Sequence, residues 1–177
     1  ALRELGQAAE ASALLQQRLK AFPGNSSLVL ELALAQSAQG RQQDVVSTLD
    51  SLLAAQPSAQ GYALRAYAHL HLKDLARAGE DAGNALVLEP GLTTALLVQA
   101  RVALARGEPA RADAPCRQAL SRAPALVWAH TTCGEVALAL GQADSARALA
   151  EQALQLSPQD EEALRLQERS RTMGVRP

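Results

Sequence analysis

Aromatic residues are almost missing from this chain. Trp128, Tyr62, Tyr67 and Phe22 amount to 2% of the residues, while hydrophobic residues as a whole make up 48%. A core must therefore be assembled mainly from Ala, Leu and Val. Ala is the strongest helix former, and the residues that favour strands are few, so the balance points to an all-α protein. A surplus of one charge sign is missing too. Lys and Arg number 17 against 18 Asp and Glu, which leaves no electrostatic footprint for nucleic acid or an anionic membrane surface. Lysine occurs only at Lys20 and Lys73; the remaining cations are arginines. No apolar run approaches the ~18 residues that would cross a bilayer, so membrane insertion is not expected.

Cysteine is scarce as well. Cys116 and Cys133 alone do not make a disulfide framework. They fall in consecutive helices at core-facing positions, either as neighbouring buried thiols or as one disulfide, the latter implying an oxidising compartment.

The chemistry-bearing groupings are absent in the same way. His69 and His71 stand two apart, on different faces of a helix, and not at the i, i+4 spacing of a helical zinc pair. His130 is a repeat away. Carboxylates such as Glu108, Asp113, Asp144, Glu151 and the run Asp160–Glu162 cluster at turns, where helix starts favour acidic residues for their dipole. No nucleophile–base pair and no phosphate loop is legible. No catalytic residue, no metal and no cofactor is expected, and the fragment is read as not an enzyme.

What is present is periodicity. Five of the eight prolines, Pro23, Pro57, Pro90, Pro124 and Pro158, are spaced by 34, 33, 34 and 34 residues. Four residues before each stands a leucine: Leu19, Leu53, Leu86, Leu120 and Leu154. Twelve before stands Ala11, Val45, Ala78, Ala112 or Ala146, and seventeen before stands Gly6, Gly40, Lys73, Gly107 or Gly141. Agreement in several registers marks a repeat array.

Each register has a physical task. Glycine suits the positive-φ position that ends a first helix. At Lys73 the neighbouring Asp74 is expected to take that role. Proline cannot continue a helix and marks the passage to the next unit. Small residues let two helices approach, and the leucine fills the space between them. The short step places a one-residue deletion in the inter-repeat turn near Ser58–Gly61 or early in the following helix. Pro109 suits the first turn of its helix, whereas Pro115 removes a backbone hydrogen bond two turns in, where a kink is expected.

The pattern resembles the tetratricopeptide repeat, a 34-residue helix–turn–helix unit. Small residues occupy its eighth position at Ala33, Ala66, Ala100 and Gly134, and Ala85, Ala119 and Ala153 fill its twenty-seventh. The segment Gly134 to Pro158, GEVALALGQADSARALAEQALQLSP, matches best. The resemblance implies an all-α, right-handed superhelical solenoid of antiparallel helix pairs. The expected layout is a partial repeat over 1–25 (the end of a first helix plus a second helix), with a turn at Gly6. Full repeats then cover 26–58, 59–92, 93–126 and 127–160, and a capping helix and tail cover 161–177, with Asp160 as N-cap. The chain reads as an internal slice of a longer array, and a cytoplasmic setting is the favoured expectation.

In that family the first helix of each repeat lines a concave groove. Its ligand-facing positions correspond here to Leu30, Glu31, Leu34, Leu64, Tyr67, Leu97, Val98, Arg101, Trp128, Thr132 and Glu135, with Gln60, Ala63, Thr94 and Thr131 beside them. The final helix adds Glu162, Arg165 and Arg169. Leu30, Leu34, Leu64, Val98 and Thr132 stand where one subfamily carries a Lys/Asn/Arg clamp for chaperone carboxylates, so that ligand class is not expected. The resemblance implies a protein–protein interaction scaffold, part of an adaptor or assembly factor, that takes an apolar or helical segment of a partner. Two alternatives are a regulatory or substrate-selecting arm of an enzyme whose catalytic domain lies elsewhere, and self-association through the repeat ends.

Overall fold

The computed structural model describes residues 2–173. Among them are ten helices and no strand: α1 (Leu2–Ala21), α2 (Ser26–Ala38), α3 (Gln42–Ala55), α4 (Ala59–His71), α5 (Leu75–Leu88), α6 (Thr93–Ala105), α7 (Pro109–Arg122), α8 (Val127–Ala139), α9 (Ala143–Leu156) and α10 (Glu161–Met173). From α2 to α9 these form four helix pairs, and the chain divides into two compact units, Ala1–Ala95 and Leu96–Pro177.

The turn inside every pair has one chemistry. Gly40, Lys73, Gly107 and Gly141 have φ of 73°, 62°, 73° and 77°. The next residue's N–H reaches back across the turn, from Arg41 to Gln36 O, Asp74 to His69 O, Glu108 to Ala103 O and Gln142 to Ala137 O, at 2.9–3.0 Å. This is the left-handed C′ residue with its six-to-one hydrogen bond, which uses up carbonyls that the helix end would leave unpaired. Lys73 takes the left-handed conformation itself. Asp74 does not replace it; it is the N-cap of α5, accepting from Arg77 N at 3.1 Å.

Between pairs the chain is stopped by proline, and α2, α4 and α10 are started by a side-chain cap. Pro57, Pro90, Pro124 and Pro158 each follow directly on the C-cap of a second helix. Asn25, Ser58 and Asp160 then accept from Leu28 N, Gly61 N and Ala163 N, each satisfying an orphan donor of a helix start. The linker between α3 and α4 is residues 56–58, three where the corresponding linkers 89–92, 123–126 and 157–160 have four. The short proline step is thus a deletion in the turn itself.

The small-residue columns hold the helices together. Ala33, Ala66, Ala100, Val45, Ala78, Ala112, Ala146, Ala85, Ala119 and Ala153 are all fully buried. The leucine column is less so: Leu53 is buried, while Leu86, Leu120 and Leu154 are half-buried. In the first unit the core joins Ala33, Val45, Val46, Leu49, Leu52, Leu53 and Ala68. In the second it joins Ala137, Leu138, Ala146, Ala150 and Leu166, the last delivered by α10.

One expectation needs correction. Residues 2–21 are one continuous helix, with Gly6 inside it and not at a turn. α7 spans Pro109–Arg122 with Pro115 inside it.

Candidate functional site

The first unit contains an apolar cavity of about 310 Å³ lined by Leu30, Leu34, Gln60, Ala63, Leu64, Leu92 and Thr94. Leu30 and Leu34 are four apart on α2 and therefore stack on one face. Gln60, Ala63 and Leu64 are the matching face of α4, and Leu92 and Thr94 enter from the turn and first residues of α6. Leu34 is 57% exposed. Glu31 is exposed one turn before it. Gln60 Nε2 donates to Glu89 Oε2 at 2.9 Å, which holds a second carboxylate beside this lining residue. The walls offer no charged group, nucleophile or base. Contact with apolar surface is the chemistry this cavity supports.

Elsewhere in the same unit lies a polar cavity of about 480 Å³ lined by residues of α3, α4 and α5. Arg65 is its centre. Its Nε and one terminal nitrogen donate to the two oxygens of Asp81 at 2.8 Å, the other terminal nitrogen donates to Asp50 Oδ1 at 2.7 Å, and its guanidinium lies 5.6 Å from the Tyr62 ring centre. The hydrogen bonds and charge of Asp81, then Asp50, push the arginine further up from an already high pKa. Buried His69 places Nε2 3.8 Å from Asp81 Oδ2, while His71, exposed, packs its ring 4.3 Å from that of Tyr67. The paired carboxylates saturate Arg65. It is a tie across three helices, and no motif in the sequence announces it.

In the second unit α10 takes up polar groups presented by the preceding first helices. Arg101 donates to Glu162 at 2.5 Å, Thr131 Oγ1 donates to the other oxygen of Glu162 at 3.1 Å, and Arg169 donates to both oxygens of Glu135 at 2.6 and 2.8 Å. His130 is buried and donates from Nε2 to Pro124 O at 2.8 Å, a structural role. Cys116 and Cys133 are buried free thiols lining one cavity of about 270 Å³. The hydrogen bond between them, then burial, pushes the Cys116 thiol well above its ordinary range. Such thiols are poor nucleophiles. Among the described residues no group of three or more His, Cys, Asp and Glu could hold a metal ion.

Residues 2–67 match the family model of the tetratricopeptide repeat. No curated protein matches the chain. Solved structures do match, and one is a thermophilic tetratricopeptide protein in Thermus thermophilus. It is 24% identical over 99% of this chain and 94% of that one, with a TM-score of 0.77. The chain has the fold of tetratricopeptide-repeat proteins. A crystal structure of MamA is similar at 22% identity, covering 88% of this chain and 86% of that one, with a TM-score of 0.65. The first such domain of Spaghetti (RPAP3), solved bound to the HSP90 peptide SRMEEVD, is 18% identical over 66% of this chain and 94% of its own, with a TM-score of 0.60. At these identities the likeness establishes the fold.

Within the tetratricopeptide frame the expected groove residues separate into three groups. Leu30, Leu34 and Leu64 come together in the apolar cavity, with Glu31 beside it and Tyr67 half-buried on α4. Leu97, Val98 and Thr132 are fully buried. The expectation that they line an open groove is corrected, because the fifth and sixth positions of these first helices are consumed by packing, as Thr131 shows by bonding to α10. Arg101 and Glu135 are not isolated charges but partners of Glu162 and Arg169. Trp128 is half-buried in the first turn of α8. Leu92 was not anticipated as a lining residue; it closes its repeat just before the next first helix, where its turn position gave no groove signal.

Proposed function

We propose that this chain is a protein–protein interaction scaffold that docks a partner segment through an apolar anchor seated between α2 and α4. The observation that carries it is the cavity of Leu30, Leu34, Ala63, Leu64 and Leu92, with Leu34 exposed beside it. An apolar pocket of this volume accommodates a leucine-sized side chain or two, and its helical walls suit an extended or helical ligand. The peptide seated on the Spaghetti domain supports the use of the fold for peptides. The absence of cations from the cavity wall separates this chain from ligands held by a carboxylate clamp.

Leu34→Glu and Leu64→Glu test the reading. Each places a charge in the cavity; Leu34 is exposed, so Leu34→Glu should keep its helical circular dichroism, whereas Leu64 also packs against the core cluster and its variant is read only if its circular dichroism persists. Partners recovered from lysate by the wild-type chain and identified by mass spectrometry should be depleted at least tenfold by either variant, the span expected when a desolvated anchor is lost. Unchanged recovery on both variants would place docking elsewhere.

A further inference from the structure

We infer that the segment docking in this cavity is basic as well as apolar: a leucine-like anchor flanked by lysine or arginine. The inference rests on the docking reading above and adds the partner's charge to it. Nothing on the cavity wall is charged, but two carboxylates stand beside lining residues, Glu31 next to Leu30 and Glu89 on the amide of Gln60. Glu31 is exposed, stands one turn before Leu34 on α2, and has no cation paired with it among the described residues. Residues three apart on a helix are surface neighbours, so a ligand whose anchor contacts Leu34 passes within reach of this carboxylate. Glu89 is engaged by the neutral amide of Gln60, which orients its charge without cancelling it.

Elsewhere in the unit Asp44 is paired with Arg41, Asp50 and Asp81 share Arg65, and Asp74 faces Arg77, while Glu10 and Glu80, like Glu31 and Glu89, have no cation beside them among the described residues. An acidic segment brought to the same place would set like charges against Glu31 and Glu89 with no cation on the wall to offset them, an arrangement that rejects as well as selects. Exposed charges of this kind act on encounter rate and partner choice more than on total affinity.

Short phage-displayed peptides with one fixed leucine and randomised flanks, panned on the full chain, test the inference. Enriched peptides should carry Lys or Arg within one helical turn of the leucine and be lost on Leu34→Glu. By fluorescence anisotropy, a selected peptide should bind about two- to fivefold more weakly to each of Glu31→Gln and Glu89→Gln, the range for a solvent-exposed ion pair, and weaken further as salt is raised. Acidic or neutral flanks among peptides that still need Leu34 would overturn the charge inference while leaving the docking reading intact. No enrichment, or enrichment indifferent to Leu34→Glu, would remove both.

Discussion

Lys73 carries a strain that the other repeats avoid. Its φ of 62° is the left-handed value that glycine supplies at Gly40, Gly107 and Gly141, and an L side chain there costs about 1–2 kcal/mol. Glycine would relieve that cost but add about 0.4–1 kcal/mol of unfolded-chain entropy. Lys73→Gly should therefore stabilise by about 0.5–1 kcal/mol net, seen as a rise of about 2 °C in Tm for a chain of this size. Lys73→Ala keeps the strain and should not gain; equal gains from both would show the lysine charge, not the backbone, to be at fault. The residue scale also shows what can be read without coordinates. The departure at Lys73 was visible because three other repeats show glycine in the same register. The Arg65–Asp81–Asp50 tie was not, because it joins three helices at spacings of 15 and 16 residues that follow no repeat period.

At the scale of elements, periodic signals were reliable and end effects were not. The deletion between Pro57 and Lys73 could be placed because it shifts two registers together. The fate of Gly6 could not, since a glycine forms a turn only where a helix on each side packs against the other. Helix α10 shows the opposite case, in which one residue decides the fit. A Cβ on Gly134 would run into Leu166 Cδ2 and come within 3.5 Å of Leu149 Cβ, and Leu166 is fully buried with no room to retreat. Gly134→Ala therefore trades about 1 kcal/mol of helix propensity against overpacking of about 1–3 kcal/mol. The expected net result is destabilisation of up to about 2 kcal/mol, with α10 the first segment cut in limited proteolysis. In a Leu166→Ala background the obstruction is gone, and the same substitution should become neutral or stabilising. A double-mutant cycle by urea denaturation reads this non-additivity; a cost that persists without Leu166 would locate the close contact elsewhere.

The whole molecule is organised so that each helix answers mainly to its neighbours in sequence. In the first unit α1 packs on α2, α2 on α3, α3 on α4 and α4 on α5; in the second α7 packs on α8, α8 on α9 and α9 on α10. Each unit also holds its own cluster of fully buried side chains. In such arrays stability approximates a sum of repeat and nearest-neighbour terms, not one global quantity. Damage to one core should then stay local. Leu49 in α3 is fully buried, and Leu49→Ala should cost about 2–5 kcal/mol in the first unit. Hydrogen exchange followed by mass spectrometry should show faster exchange through α2, α3 and α4, with the rates of α8, α9 and α10 unchanged. The docking cavity lies among the affected helices, so binding should weaken in step with lost protection there while the second unit stays folded. A uniform rise in exchange from α2 to α10 would instead mean that the two units open as one cooperative body, and that the cavity draws its rigidity from the full length of the chain.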